Sequence, residues 1–266
     1  MKKLFTLLLS CFATICLAQD KIPAIVTEPG ALAALKGHIQ GACCSDDAIY
    51  LSHVEGIFKL DWNGNVLKHT RLPAHTGDIC YYKGRIYDAL YSEDGNNIIV
   101  LDDDLNIVAK HQTTGGGCAT VHNGILYVGT GPRQSKPHRF NNITMFTLED
   151  CRPIATMTLD YGVETKYAAQ CLASDGKYIY AIFYATNGGA PAMVLTPDLK
   201  IIKTIRFNGS TGFDFLPPSR SKGPHPRCFK VSHIGNWRTS SNQPNPAQVR
   251  IEFFEVVDGN FINITE

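Results

Sequence analysis

One pattern begins at His38-Ile39-Gln40-Gly41, continues through Ala48-Ile49-Tyr50 and ends at Ile57-Phe58-Lys59-Leu60-Asp61. Its apolar residues come in short runs, and turn-forming pairs such as Asn63-Gly64 separate one run from the next. Short alternating runs between turns are typical of antiparallel β-strands. The pattern therefore predicts a small sheet made of consecutive hairpins.

The same pattern returns three more times along the chain. The later copies open with His75-Thr76-Gly77-Asp78, Gly115-Gly116-Gly117-Cys118 and Ala168-Ala169-Gln170-Cys171, and their second strands carry Ile86-Tyr87, Leu126-Tyr127 and Ile179-Tyr180. A period of about forty residues built from short strands is the signature of β-propeller blades. We therefore predict an all-β protein, a five-bladed β-propeller.

The fifth blade is the least regular part of this prediction. Residues 212–264 fit a degenerate copy, and residues 22–27 can add a strand that closes the ring and removes an exposed sheet edge. Six blades are the alternative if the N-terminal stretch hides one more, and a solenoid or sandwich is the alternative architecture. Helix is expected only at the Ala/Leu-rich residues 29–35, where one or two turns could form.

Residues 1–18 have the features of an export signal. Lys2 and Lys3 precede an apolar run at residues 4–17, and Ala18 offers a small residue for cleavage. A lipoprotein signal cut before Cys11 is the rival interpretation. The run is shorter than the ~20 residues that a membrane span needs. We predict a signal peptide at 1–18, a single propeller domain at 19–266, and a secreted or periplasmic protein without a membrane span.

Charge and cysteine content restrict the partners. The formal net charge of +1 gives no general attraction to nucleic acid, so we expect none as a partner, and we expect a monomer. Nine cysteines occur, two of them in the predicted signal, and the remaining seven lack the even number and spacing of a disulfide framework. Cys43 and Cys80 lie at equivalent positions before the repeated tyrosine, which favours buried core thiols.

Polar residues recur where the inner strands of a propeller begin, and these strands converge on the central channel. We predict that the following side chains lie at or near one channel mouth: His38, Gln40, His75, Asp78, Gln170 and Asp214. Histidine and carboxylate groups together can exchange protons or bind a divalent cation, so a cation in the channel is one possible cofactor. In this interpretation His38 or His75 is the acid or base and Asp78 orients or ligates. The alternative is a channel lined by water-bonded polar groups.

Loops on the same face add further candidates. The longest hairpin of the four regular copies supplies a basic lip, defined as Arg133, Lys136, His138 and Arg139, which would suit an anionic substrate. Lys166 precedes the fourth inner strand, and Trp237 lies in a long polar loop where it could stack on a sugar ring. A solvated loop that is basic by chance is the alternative.

The openings of the first two copies carry a family resemblance. Together with the Ile-Tyr pairs, His38-Ile39-Gln40-Gly41 and His75-Thr76-Gly77-Asp78-Ile79-Cys80-Tyr81 resemble a group of secreted bacterial β-propellers, mostly uncharacterised, over residues 37–216. More distantly, Gln40-Gly41 and the five-blade count are similar to glutaminyl-peptide cyclotransferases of the bacterial and plant type. That resemblance implies that this strand opening contributes to an active site. His38-Ile39 stands where those enzymes have an aromatic-threonine pair.

Two functions follow from these observations. The first is an exported enzyme, a lyase or hydrolase, that acts on a small polar substrate such as a carbohydrate or its acidic derivative. The second is a non-catalytic propeller that binds a glycan or a protein through the same face. Convergent titratable groups favour catalysis, whereas aromatic and amide groups alone favour recognition.

Overall fold

A computed structural model of the chain describes residues 20–91, 96–113, 116–130, 138–165, 168–183, 191–234 and 248–266. Strand β1 (Ile25–Val26) comes first. Blade 1 contains β2 (Ile39–Cys44), β3 (Ile49–His53), β4 (Gly56–Leu60) and β5 (Val66–Arg71). Blade 2 contains β6 (Ile79–Tyr82), β7 (Arg85–Leu90), β8 (Asn96–Asp102) and β9 (Ile107–Thr113).

The remaining blades follow in chain order. Blade 3 contains β10 (Gly117–His122), β11 (Ile125–Thr130), β12 (His138–Phe146) and β13 (Pro153–Thr165). Blade 4 contains β14 (Cys171–Ser174), β15 (Ile179–Ile182), β16 (Pro191–Leu195) and β17 (Ile201–Arg206). Blade 5 contains β18 (Phe213–Phe215), β19 (Arg227–Ile234), β20 (Gln248–Val257) and β21 (Asn260–Asn263).

Each blade is an antiparallel meander, and the five inner strands stand around one axis. Strands β2, β6, β10, β14 and β18 contact one another in that order, and β18 returns to β2. The prediction of an all-β, five-bladed propeller is confirmed. The axis has two ends. We call the end where the inner strands begin the entry mouth, and the end where they turn into the second strands the turn end.

The ring is closed by both ends of the chain. Strand β1 pairs with β20 at Ile251 and Arg250, and β21 pairs with the later part of the same strand. The backbone N–H of Ile22 donates to the carbonyl of Ile264 at 2.9 Å. The predicted closing strand within residues 22–27 is therefore confirmed.

The expected helix at residues 29–35 is wrong. The structure has turns there, in which Ala31 N–H donates to Glu28 and Ala33 N–H donates to Gly30. Gly30 adopts a left-handed φ of 77°, which a right-handed helix cannot continue through. No helix in the described part of the chain is long and apolar enough to cross a bilayer.

Apolar side chains fill the five seams between neighbouring blades, one cluster to each seam. The cluster between blades 1 and 2 includes Tyr50 and Ile86, and the cluster between blades 5 and 1 includes Phe58 and Phe229. All seven cysteines of the described chain are free and buried. Their interpretation as core residues is confirmed, and burial raises the pKa of the Cys43 thiol well above its ordinary value, which keeps it unreactive.

In three of the four copies the hydroxyl of the repeated tyrosine links its blade to the next, whereas that of Tyr180 donates within its own blade. The hydroxyl of Tyr50 donates to Asp103 at 3.1 Å, and the hydroxyl of Tyr127 donates to the carbonyl of Pro197 at 3.3 Å. Both acceptors lie in the turn between the third and fourth strands of the following blade. A buried phenol needs such a partner. The Ile/Leu-Tyr pair recurs because its tyrosine packs in the seam between two blades.

Candidate functional site

The entry mouth brings together two of the predicted side chains. His38 directly precedes β2, Gln40 is the second residue of that strand, and both are partly buried. The Gln40 amide nitrogen lies 2.9 Å from Nε2 of His38. Because an amide N–H only donates, Nε2 is the acceptor and the imidazole proton is on Nδ1. Burial lowers the pKa of His38, so the ring is neutral at neutral pH.

Two further histidines adjoin His38, and sequence reasoning missed both. His53 ends β3, and His233 lies in β19 of the neighbouring blade. The N–H of Ile39 donates to Nε2 of His233 at 3.3 Å, which ties blade 1 to blade 5. We call His38, His53 and His233 the imidazole cluster. Only the position of His53 at the end of a second strand, on the same face as His38, could have suggested it.

His53 is the most enclosed member of the cluster. It is fully buried, neither ring nitrogen has a hydrogen-bond partner among the described residues, and its ring meets Phe58 edge to face at 5.8 Å. Burial first, and then the neighbouring His38 and His233, lower its pKa from 6.5 to about 4. The pKa of His233 is lowered to about 4 by burial and by His38. The cluster therefore consists of three neutral imidazoles at neutral pH.

This arrangement predicts an acid-sensitive stability that depends on His53. Below pH 6.5 the unfolded chain protonates this ring, whereas the folded protein resists protonation until about pH 4. The stability is present above pH 6.5 and lost as the pH falls toward 4, by on the order of 3 kcal/mol at 1.36 kcal/mol per pKa unit. His53→Phe, which suits the contact with Phe58, should flatten the pH dependence.

Urea unfolding of wild type and His53→Phe at pH 7 and pH 4.5 measures this difference directly. The comparison between variants is needed because buried Asp78 and Asp88, whose pKa values are raised by burial, act in the opposite direction. Equal losses of stability in the two proteins between pH 7 and pH 4.5 would show that His53 does not cause the acid sensitivity.

Asp78 is a cross-brace at the axis. It is fully buried, and its Oδ2 accepts the N–H of Leu172 at 2.9 Å, so a residue of blade 2 holds the inner strand of blade 4. Its Oδ1 faces Gly41 of β2 and has no hydrogen-bond partner within the described part of the chain. Burial raises the pKa of Asp78, against the lowering effect of the Leu172 N–H. These contacts are those of a strand-holding carboxyl.

The other predicted residues have separate surroundings. His75 forms a β-bridge with Tyr91, and the two rings lie 6.0 Å apart. The Gln170 side-chain amide donates to the carbonyl of Ala168 at 3.0 Å, at the start of the fourth inner strand. The structure places Asp214 away from the entry mouth: its Oδ2 accepts the N–H of Cys44, the last residue of β2, at 3.3 Å. Asp214 thus belongs to the turn end.

The basic lip is only partly described. Arg139 is exposed, and its guanidinium forms two hydrogen bonds with the carboxylate of Asp160, at 2.7 and 2.9 Å. Its charge is therefore already matched. His138 is the first residue of β12, and its side chain lies outside the described part. Outside the described residues lie Arg133, Lys136, Lys166 and Trp237.

Among the described residues, no three His, Cys, Asp or Glu side chains are arranged to hold a metal ion. The neutral imidazoles and amides at the entry mouth can form hydrogen bonds and transfer protons.

Comparison with known proteins identifies the fold. The structure matches Myxococcus xanthus glutaminyl cyclase with a TM-score of 0.60 at 13% sequence identity, over 90% of this chain and 97% of that one. In fold, the chain is similar to a bacterial glutaminyl cyclase. A Bacteroides caccae protein of unknown function matches with a TM-score of 0.49 and 10% identity, over 85% of this chain and 81% of that one. No family model and no curated protein sequence matches the chain.

Proposed function

We propose that this protein is an exported propeller enzyme that acts on a small polar substrate, a carbohydrate or its acidic derivative, at the entry mouth. The observation that supports it is the partly exposed His38–Gln40 pair, with the other imidazoles of the cluster behind it. A neutral imidazole at a channel mouth is suited to accept a proton near neutral pH.

In the proposed reaction, a substrate hydroxyl replaces the Gln40 amide as the hydrogen-bond donor to Nε2 of His38. That nitrogen accepts the hydroxyl proton as the oxygen forms its new bond, and the imidazolium then returns the proton to the group that leaves. The displaced Gln40 amide remains available to bind the substrate. His38 suits this role better than His53 or His233, because the pKa values near 4 of the other two make them weak bases at neutral pH. Gln170, Arg133, His138 and Trp237 complete the proposed substrate contacts, and residues 1–18 provide export.

The test is turnover of neutral and acidic oligosaccharides by wild type and His38→Ala. Loss of a general base costs about 10²–10⁴-fold in rate, so His38→Ala should lose at least 100-fold in kcat/KM while its unfolding curve stays close to that of wild type. His69→Ala is the control, since His69 lies on the outermost strand of the same blade. Tight binding of a glycan without turnover would replace the enzyme by the recognition function. Turnover that survives His38→Ala would reject the assignment of the base.

Glutaminyl cyclisation is the second candidate, favoured by the fold match over nearly the whole of both chains. It requires a peptide that begins with glutamine and releases ammonia as the ring closes. A coupled ammonia assay with such a peptide, alongside one that begins with asparagine as control, decides between this reaction and carbohydrate chemistry.

A further inference from the structure

A cavity opens at the turn end, away from the imidazole cluster. It has a volume of about 700 Å³, within the range of ligand pockets. Every blade contributes to its wall, through Cys44, Cys80, Thr120, Ser174 and Asp214. The loop that follows β18 adds four prolines to the wall, and the fixed φ of proline limits the freedom of that loop. The wall of the cavity is thus formed by the ring of blades together with a loop of restricted conformation.

Asp214 is the carboxyl group that the inner strand of blade 5 places in this cavity. Its Oδ1 accepts the N–H of Phe215 at 2.8 Å and its Oδ2 accepts that of Cys44, yet no ion pair among the described residues neutralises it. The side chain lies deep in the protein but remains partly accessible from the cavity. Burial raises its pKa to about 7, against the effect of the two backbone N–H groups. Each carboxylate oxygen retains a further lone pair for a ligand.

Of the other charged groups of the wall, Arg227 is ion-paired and Asp175 is hydrogen-bonded. The Arg227 guanidinium lies 3.6 Å from the carboxylate of Glu255, and both side chains are buried. Asp175 accepts the Tyr180 hydroxyl at 2.9 Å and the backbone N–H groups of its own turn. The thiols in the wall stay protonated, since burial raises the pKa of Cys80. The charge that remains in the cavity wall is therefore negative, and Asp214 carries it together with the hydrogen-bonded Asp175.

We propose that this cavity binds a small organic molecule that carries a primary ammonium group, which pairs with the carboxylate of Asp214. Tyr81 and Tyr82 also line the cavity, and phenol rings attract organic cations. The walls supply hydroxyl and amide groups from Thr120 and Asn123 for the polar body of the ligand. This binding site is separate from the entry mouth and does not depend on the function proposed there.

Calorimetric titration of the purified protein with putrescine and with 1,4-butanediol tests the proposal. The two probes have the same four-carbon chain and differ in amine against hydroxyl ends, and aliphatic amines stay charged well above neutral pH. Putrescine should bind and the diol should not. Putrescine affinity should rise about tenfold from pH 6 to pH 8, because the ionised fraction of a carboxyl with a pKa of about 7 rises by that factor.

Asp214→Asn keeps the side-chain shape but removes the charge. It should weaken putrescine binding about tenfold or more at pH 8, the size of a lost hydrogen bond to a charged group, and should abolish the pH dependence. A pH dependence that persists in the variant would assign it to another group, such as His225 in the wall, and would overturn the proposal. Asp198→Asn, which removes an equal charge from an exposed turn of blade 4, should leave the affinity unchanged.

Besides that persistent pH dependence, three results would reject the amine site. They are equal binding of the diol, undiminished putrescine binding by Asp214→Asn, and stabilisation by calcium chloride in place of putrescine. The pH dependence of the wild-type protein needs no variant, so the proposal stays testable even if Asp214→Asn folds poorly. None of these outcomes bears on His38, whose test is turnover.

Discussion

Replacing Gly41 by alanine is expected to destabilise the protein by about 3 kcal/mol or more, the upper part of the range for overpacking a core. Gly41 lies in the inner strand β2, and a Cβ atom there would stand 2.5 Å from the Cα of Asp78. The Asp78 backbone cannot retreat, because its N–H donates to Gly117 at 2.8 Å and its carboxyl holds Leu172. The clash is therefore with a fixed point of the axis.

Urea unfolding measures this loss against Gly176→Ala. Gly176 has a left-handed φ of 85°, but a Cβ atom added there would have no neighbour within 4 Å, so its substitution should cost only the conformational penalty of about 1–2 kcal/mol. Adding Asp78→Ala to Gly41→Ala removes the contact with Oδ1 of Asp78 but should not restore stability, because the contact with the Asp78 Cα at 2.5 Å remains. If Gly41→Ala costs no more than Gly176→Ala, the inner strands are looser than the contacts indicate.

Replacing Tyr87 by alanine is the second large expected effect, about 3–5 kcal/mol, the range for removing a large aromatic side chain from a core. Tyr87 is 5% exposed and fills the seam between blades 2 and 3, and its hydroxyl reaches the carbonyl of Leu148 at 3.5 Å. Tyr87→Phe should cost far less, because the ring carries most of the packing and that hydrogen bond is long.

His75→Ala supplies the functional comparison. His75 is partly exposed near the entry mouth, so its removal should cost much less stability than Tyr87→Ala. If it also abolishes turnover, His75 belongs to the site together with His38. Equal losses of stability for the two variants would make His75 a structural residue and remove it from the site.

The repeat made the fold predictable because residues at equivalent positions of the copies make equivalent hydrogen bonds and packing contacts. Asp61 and Asp102 accept the N–H groups of the turns that follow the third strands, at 2.8–3.0 Å. Thr196 does so with its hydroxyl in blade 4, at 3.0 Å. Turn chemistry and buried tyrosines are local signals, so they can be interpreted without knowing which blades become neighbours.

The site was harder to predict because its contacts are not local. His53 and His233 are brought together only when blade 5 closes against blade 1, and neither lies within the conspicuous strand openings. Asp214 begins its copy as Asp78 does, but β18 has only three residues, and it places the carboxyl level with the end of β2. The pairing of Arg139 with Asp160 depends on the register between β12 and the unusually long β13.

The way the ring closes also dictates when it can form. Thr27 and Val249, 222 residues apart, share a hydrogen bond in blade 5. The seam between blades 5 and 1 can therefore form only after blade 5 has been synthesised. Until then Ile39 and Phe58 of blade 1 lack their partners Phe229 and Phe253, and an apolar sheet face stays open during synthesis. Contacts between such distant residues are slow to form, and apolar surface that stays exposed meanwhile favours association. The step that completes folding is thus the docking of the first blade onto the last.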